Sequence, residues 1–208
     1  HLEATGVRIR TSTVVRKLAA TAEGILVDDQ LFQHVVLATP AVASREIIDA
    51  SPSLAIPDTA ARLRRLERGA RYAVLRVWLD RDPCAALPVF VSTDRVRLLD
   101  AVASCHRVTR ADAAWAARRG GAVLELHSYA VPEDIDDAEI GAALYDEMAR
   151  FFPAASSASV LGRHLAVRDD FTAHHVGLHA HRPATRTEDA RLVLAGDWVA
   201  LPVPALLM

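Results

Sequence analysis

The chain has 208 residues, about half of them apolar, with 24 basic against 26 acidic side chains and a net charge of −2. That balance supports a sizeable core and excludes a binder driven by phosphate contacts, so no nucleic-acid partner is expected. No stretch reaches the roughly 20 apolar residues of a membrane span, and Cys84 and Cys105 lack CxxC spacing, so they read as buried thiols in a reducing, cytoplasmic setting.

Residues 7–18 alternate polar and apolar positions, which predicts two short strands with Ile9, Val15 and Leu18 facing inward. Ile25-Leu26-Val27 and the apolar run that ends at Thr39-Pro40 read as strands, with a turn at Asp28-Asp29. Proline cannot continue a ladder but suits the first turn of a helix, so a helix over about 41–49 follows. Asp58 is a candidate N-cap for a basic, solvated helix over 59–68 that stops at Gly69. Residues 71–80 read as a long strand, with further strands over 88–92 and 97–107. A helix over 110–119 stops at Gly120-Gly121. Residues 122–131 form an interior strand, and 136–152 an amphipathic helix with Ile140, Leu144, Met148 and Phe151 on one face and acids in its first turn. Residues 158–168 read as a strand, 170–190 as irregular, and 191–195 as the last strand.

Strands and helices mix without the strict alternation of a doubly wound sheet. The fold class is therefore α+β.

Few side chains form an obvious catalytic set. Glu125 and His127 share one side of the 122–131 strand, as a cavity pair or, on the plainer reading, a satisfied pair at a sheet edge. His174, His175, His179 and His181 crowd an irregular segment without metal-ligand spacing, so no metal is expected. Gly196-Asp197 ends the last strand. Glycine lets a backbone approach a phosphate, and a carboxylate there suits a sugar-like hydroxyl. The plain alternative is a strand-terminating turn.

The order of these signals carries more than any one of them. Gly6-Val7-Arg8-Ile9 with Val15 and Leu18, then Val35-Val36-Leu37-Ala38-Thr39-Pro40, then Arg182-Pro183, Leu194-Ala195-Gly196-Asp197 and Pro202-Val203-Pro204 to Met208 follow in sequence. This pattern resembles the flavin-dependent amine oxidase superfamily, and within it the phytoene-desaturase-like enzymes. Leu99-Asp100, Cys105-His106-Arg107, Trp115-Ala116 and the stretch 121–130 are similar to the substrate domain of carotene desaturases, including those acting on cyclised carotenes.

The resemblance implies a two-lobed, FAD-dependent oxidoreductase. Residues 1–40 and 185–208 would form part of the flavin-binding domain, and 41–184 the substrate domain. Gly196, Asp197, Thr39, Pro40 and Met208 would lie at the flavin, with Val15 near the adenine. The substrate would be an apolar, carotenoid-like isoprenoid losing a hydride to the flavin, reached by peripheral contact with a membrane surface. No feature sets an oligomeric state.

The G-x-G-x-x-G turn that anchors a pyrophosphate is absent. The chain opens at His1 without Met and closes inside its last motif. It therefore reads as a piece of a longer enzyme, inactive alone. Amine oxidation is the alternative, but such enzymes place a lysine in the substrate domain, and Lys17 is the only lysine here. A non-catalytic substrate-domain module or a truncated gene product are the others.

Overall fold

The computed structural model describes residues 3–173 and 175–201. The chain divides into two units, residues 1–69 with 170–208, and residues 70–169.

The second unit is built on a five-stranded antiparallel sheet. Its strands are β5 (Tyr72–Leu79), β6 (Phe90–Ser92), β7 (Ala101–Ser104), β8 (Ala122–Ser128) and β9 (Val160–Arg168), in the order β6-β7-β8-β5-β9. Burial alternates strictly along β5, so Ala73, Leu75, Val77 and Leu79 form its core face. Helix α4 (Asp137–Phe151) covers that face with Ile140, Leu144 and Met148, all fully buried. Each such side chain contributes about 1.5–3 kcal/mol of burial. Asp136 caps α4 through its side chain, which accepts from the Glu139 amide at 2.8 Å. Helix α3 (Arg110–Arg119) ends on Gly120, whose left-handed backbone (φ 67°) suits a residue without Cβ.

The first unit draws on both ends of the chain. Strands β1 (Leu18–Ala20), β2 (Ile25–Val27) and β3 (Gln30–Phe32) form an antiparallel meander. Strand β4 (Val35–Leu37) pairs in parallel with β10 (Leu192–Leu194). Helices α1 (Ala41–Asp49) and α2 (Pro57–Leu63) send Ile47, Ile48 and Leu63 into one core with Leu192, Leu194 and Trp198. That shared core puts residues 41–69 in this unit, where the sequence assigns them to the middle lobe. Residues 170–184 join it too, because Gly69 N donates to Phe171 O (2.7 Å) and Ala173 N to Glu67 O (2.9 Å).

Three local expectations fail for physical reasons. Residues 7–17 form no strand: Ser12 takes a left-handed backbone (φ 55°), and Ile9 is 56% exposed. Asp58 does not cap α2, because Pro57 starts the helix one residue earlier. Glu188 does that work instead, accepting from the amides of Asp58 (2.7 Å) and Thr59 (3.1 Å). The Glu125–His127 pair is not at an edge, since β8 lies between β7 and β5.

Candidate functional site

Parallel strands put their carboxyl ends on the same side. β4 therefore brings Ala38-Thr39-Pro40 and β10 brings Ala195-Gly196-Asp197 to one place, with Leu37 opposite Leu194 and Ala195 N donating to Leu37 O at 3.0 Å. Helix α1 starts there, with Pro40 as its N-cap residue. Open α/β sheets bind ligands at such strand ends, and helix N-termini favour anions.

The place is locked by side chains. The Trp198 indole N–H donates to Thr39 O at 3.0 Å, and Trp198 is fully buried. The Ser44 hydroxyl donates to the same carbonyl at 3.1 Å and lies 2.8 Å from the Thr39 hydroxyl. Gly196 has φ 145°, and a Cβ there would lie 2.5 Å from the Trp198 indole nitrogen. Glycine is thus required by the turn and by the tryptophan together. Asp197 is half-buried, and its carboxylate has no hydrogen bond or ion pair among the described residues. An acceptor-only group left free at a strand end suits a ligand hydroxyl. The arrangement therefore fits part of a sugar-bearing cofactor.

A cavity of about 570 Å³ lies beside β4. Val14, Val15, Val36, Thr39 and Ile47 line it, with Arg16 and Glu46 as its charged groups. Val15 also borders a second recess of about 280 Å³ that carries Arg8, Arg10 and Asp28. Val36 is 63% exposed and lines the cavity together with Val35 and Leu37. Of the residues singled out in the sequence, Thr39, Pro40, Gly196 and Asp197 converge, and Val15 shares the cavity with Thr39. Met208 lies outside the described residues, as does His174. Trp198 and Ser44 were not foreseen. The spacing Gly-Asp-Trp and the serine five residues after Thr39 are their only sequence signal.

In the second unit, α3 packs near the Arg76 end of the sheet face opposite α4. There Arg76 donates to Glu125 at 2.9 Å and to Asp112 of α3 at 2.5 Å, and its guanidinium lies 5.4 Å from the Trp78 ring centre. Burial disfavours the Asp112 charge, but hydrogen bonds from Thr109 and Arg76 hold its carboxyl below the ordinary value. His127 lies beyond Glu125 on the same face. Burial pushes its imidazole pKa down, against the pull of the Glu125 charge.

Other polar groups here hold structure. The buried Glu147 carboxylate accepts from the amides of Arg97, Leu98 and Leu99 at 2.8–3.2 Å. His106 and Arg107 both reach Asp82, at 3.0 and 2.6 Å. Burial, then a nearby carboxylate, pushes the thiols of Cys84 and Cys105 up to about 11, so both are inert at neutral pH. Among the described residues no group of three or more His, Cys, Asp or Glu converges as a metal site, and no helix is long and apolar enough to cross a membrane.

A family model described as flavin containing amine oxidoreductase matches residues 2–208. The chain belongs to that family. A carotenoid phi-ring synthase from Streptomyces griseus is 33% identical over 213 residues, covering all of this chain and 41% of the relative. A carotenoid phi-ring synthase from Chlorobaculum tepidum is 38% identical over 140 residues, covering 66% of this chain and 22% of its own length. The chain thus spans between about a fifth and two fifths of the length of these relatives. Among solved structures, an oxidoreductase from Methanosarcina mazei matches with TM-score 0.60 at 17% identity, over 89% of this chain and 43% of that one. A putrescine oxidase variant matches with TM-score 0.60 at 14% identity, over 87% and 42%. These two likenesses establish the family's mixed helix-and-sheet fold.

Proposed function

We propose that the full-length protein containing this chain is an FAD-dependent oxidoreductase that removes hydrogen from a carotenoid. The observation that carries this reading is the 33% identity, over the whole chain, to a protein named for making a carotenoid ring. Bound FAD would supply the hydride acceptor. Asp197 would accept a hydrogen bond from a cofactor hydroxyl, and Gly196 would let the backbone come close. Thr39, Pro40 and Met208 would border the ring and Val15 the adenine. An apolar substrate would be drawn from a membrane surface by peripheral contact. The free thiols Cys84 and Cys105 support a cytoplasmic, reducing setting. Amine oxidation is disfavoured by the lack of any lysine after Lys17.

The test uses the purified full-length protein. It should retain FAD, and a carotenoid added without oxygen should bleach the flavin. Asp197→Ala should weaken FAD affinity roughly 10- to 100-fold, the worth of one charge-assisted hydrogen bond, with the thermal midpoint of the cofactor-free protein unchanged. Bleaching by amines and not by carotenoids would overturn the substrate assignment. Wild-type FAD affinity in the Asp197 variant would remove that residue from the site.

A further inference from the structure

Two features of the sequence have no part in the proposed cofactor site: the arginines of residues 59–68 and the histidines of the irregular segment after residue 170. Both belong to the first unit, and the structure brings them together. Arg65 Nη1 donates to His181 Nδ1 at 3.0 Å, and Arg62 Nη1 donates to Ala180 O at 3.2 Å. His175 lies 3.3 Å from Glu67. Residues 175–182 therefore run beside the arginines of α2 and of the turn that follows it.

Two recesses share Arg62 and Ala180 and so form one continuous strip. The larger, of about 470 Å³, adds Arg182, Arg186 and His179. The smaller, of about 200 Å³, adds Arg65 and His181. Among the residues that line the strip, these four arginines face two carboxylates, Asp58 and Glu188. Asp58 is paired with Arg62 at 3.1 Å, and Glu188 is taken up by the first turn of α2. Arg65 meets an imidazole nitrogen and not a carboxylate, and Arg186 is exposed without an ion pair among the described residues. Both are placed to meet an anion from outside.

The same segment carries an apolar tip. Gly177 takes a left-handed backbone (φ 84°), and the turn it makes leaves Val176 fully exposed. The turn is fixed on its far side: the Leu178 amide donates to His175 O at 3.1 Å, and the Leu178 side chain is buried in the core of the unit. Phe171, 39% exposed, lies over Gly69 a few residues earlier. A single exposed valine is ordinary on a surface. A valine held out on an anchored turn beside excess arginine has the make-up of an interfacial anchor, which joins apolar contact to attraction for anionic headgroups.

We propose that this strip docks the full-length protein on an anionic bilayer surface, with Arg62, Arg65 and Arg186 against headgroup phosphates and Val176 in the interface. The inference rests on the reading given under Proposed function, in which the substrate is drawn from a membrane, and it names the surface that makes the contact. An acidic protein would satisfy the arginines equally well but would offer Val176 no apolar phase to enter. The exposed valine therefore favours lipid.

The experiment is co-sedimentation of the full-length protein, without carotenoid, with phosphatidylcholine vesicles that contain or lack phosphatidylglycerol. Binding should require the anionic lipid and weaken as salt rises. Arg65→Gln and Arg186→Gln should each weaken it roughly fivefold, the worth of one arginine near such a surface. Val176→Asp should weaken it at least as much, and Val176→Trp should strengthen it. Flavin content and thermal midpoint should stay at wild-type values in all four variants. Equal binding to neutral vesicles, or wild-type affinity in the arginine variants, would overturn the proposal. Wild-type vesicle binding in Val176→Asp, together with equally tight binding to soluble polyglutamate, would mark the strip as a site for an acidic protein and overturn the bilayer assignment. Because no carotenoid is present, either failure leaves the proposed function standing. A protein that binds anionic vesicles by this strip but whose flavin carotenoids do not bleach would keep the docking surface and lose the proposed function.

Discussion

The two units are held together in different ways. The unit of residues 70–169 is continuous in sequence and organised by long strands with full registers. Its core is a sheet face under one fifteen-residue helix. The other unit joins two distant segments through three-residue strands. Short ladders contribute few backbone bonds, so side chains complete them. Arg191 donates to Thr21 O at 2.7 Å, the Ser51 hydroxyl accepts from the Leu18 amide at 2.7 Å, and Trp198 reaches Thr39 O. The lesson is that the candidate cofactor site stands on single side-chain ties, while the sheet carrying His127 stands on a distributed core.

Trp198→Ala is the strongest way to break that contrast. It removes a fully buried aromatic and the donor to Thr39 O, and should cost about 3–5 kcal/mol. Hydrogen exchange should accelerate in β4, β10 and α1, with the amides of β5 and β8 keeping their protection. Equal loss of protection in both units would show that they do not differ in this way.

The same contrast explains what was legible in the sequence. Most of the continuous unit was legible, because periodicity is a local signal: β5, α3, β8 and α4 lie within a few residues of their predicted bounds, whereas the strand expected over 97–107 is only Ala101–Ser104 and gives way to a 3-10 turn at Cys105–Arg107. The parallel meeting of Val35–Leu37 with Leu192–Leu194 was legible only through the order of motifs, since no local pattern encodes a partner that far away. The irregular 7–17 segment was misread as strand because alternation appears there without a partner to pair with. The cap on α2 was missed because Glu188 is distant in sequence. At the candidate site Gly196 and Asp197 were visible as a motif, whereas Trp198 was not, because a buried tryptophan after a turn looks like any core residue.

A smaller effect sharpens the comparison from the other side. Arg76→Ala leaves Asp112 and Glu125 without their shared cation and should cost about 1–3 kcal/mol at neutral pH. The Asp112 carboxyl is held below its ordinary value in the folded state. Its contribution is therefore full above the unfolded pKa of 3.8 and is lost as pH falls through the lower folded value. The gap between wild type and variant in urea unfolding should narrow on acidification below about pH 4. A gap that stays constant down to pH 2 would show that Arg76 stabilises by packing on Trp78, not through its charges.

The smallest effect belongs to Glu188, and it tests whether a distant carboxylate can replace a local cap. Its side chain accepts from the amides of Asp58 and Thr59 and from the Thr59 hydroxyl, so it serves the first turn of α2 as an N-cap residue would. Glu188→Ala should cost about 0.5–2 kcal/mol, toward the low end because the residue is exposed to water. Burial raises the Glu188 pKa, but the bonds from Thr59 and Asp58 outweigh it and the net direction is down. The stabilisation is then present above the ordinary value of 4.5 and disappears as pH falls through the depressed one. Glu188→Gln should recover part of the loss, since an amide oxygen still accepts one bond but carries no charge for the helix terminus. Because the tie joins residues 58–59 to 188, faster hydrogen exchange should appear at the start of α2 and near β10 together. If only α2 loosens, the carboxylate is a cap and nothing more. If both do, it is also one of the few links closing the discontinuous unit.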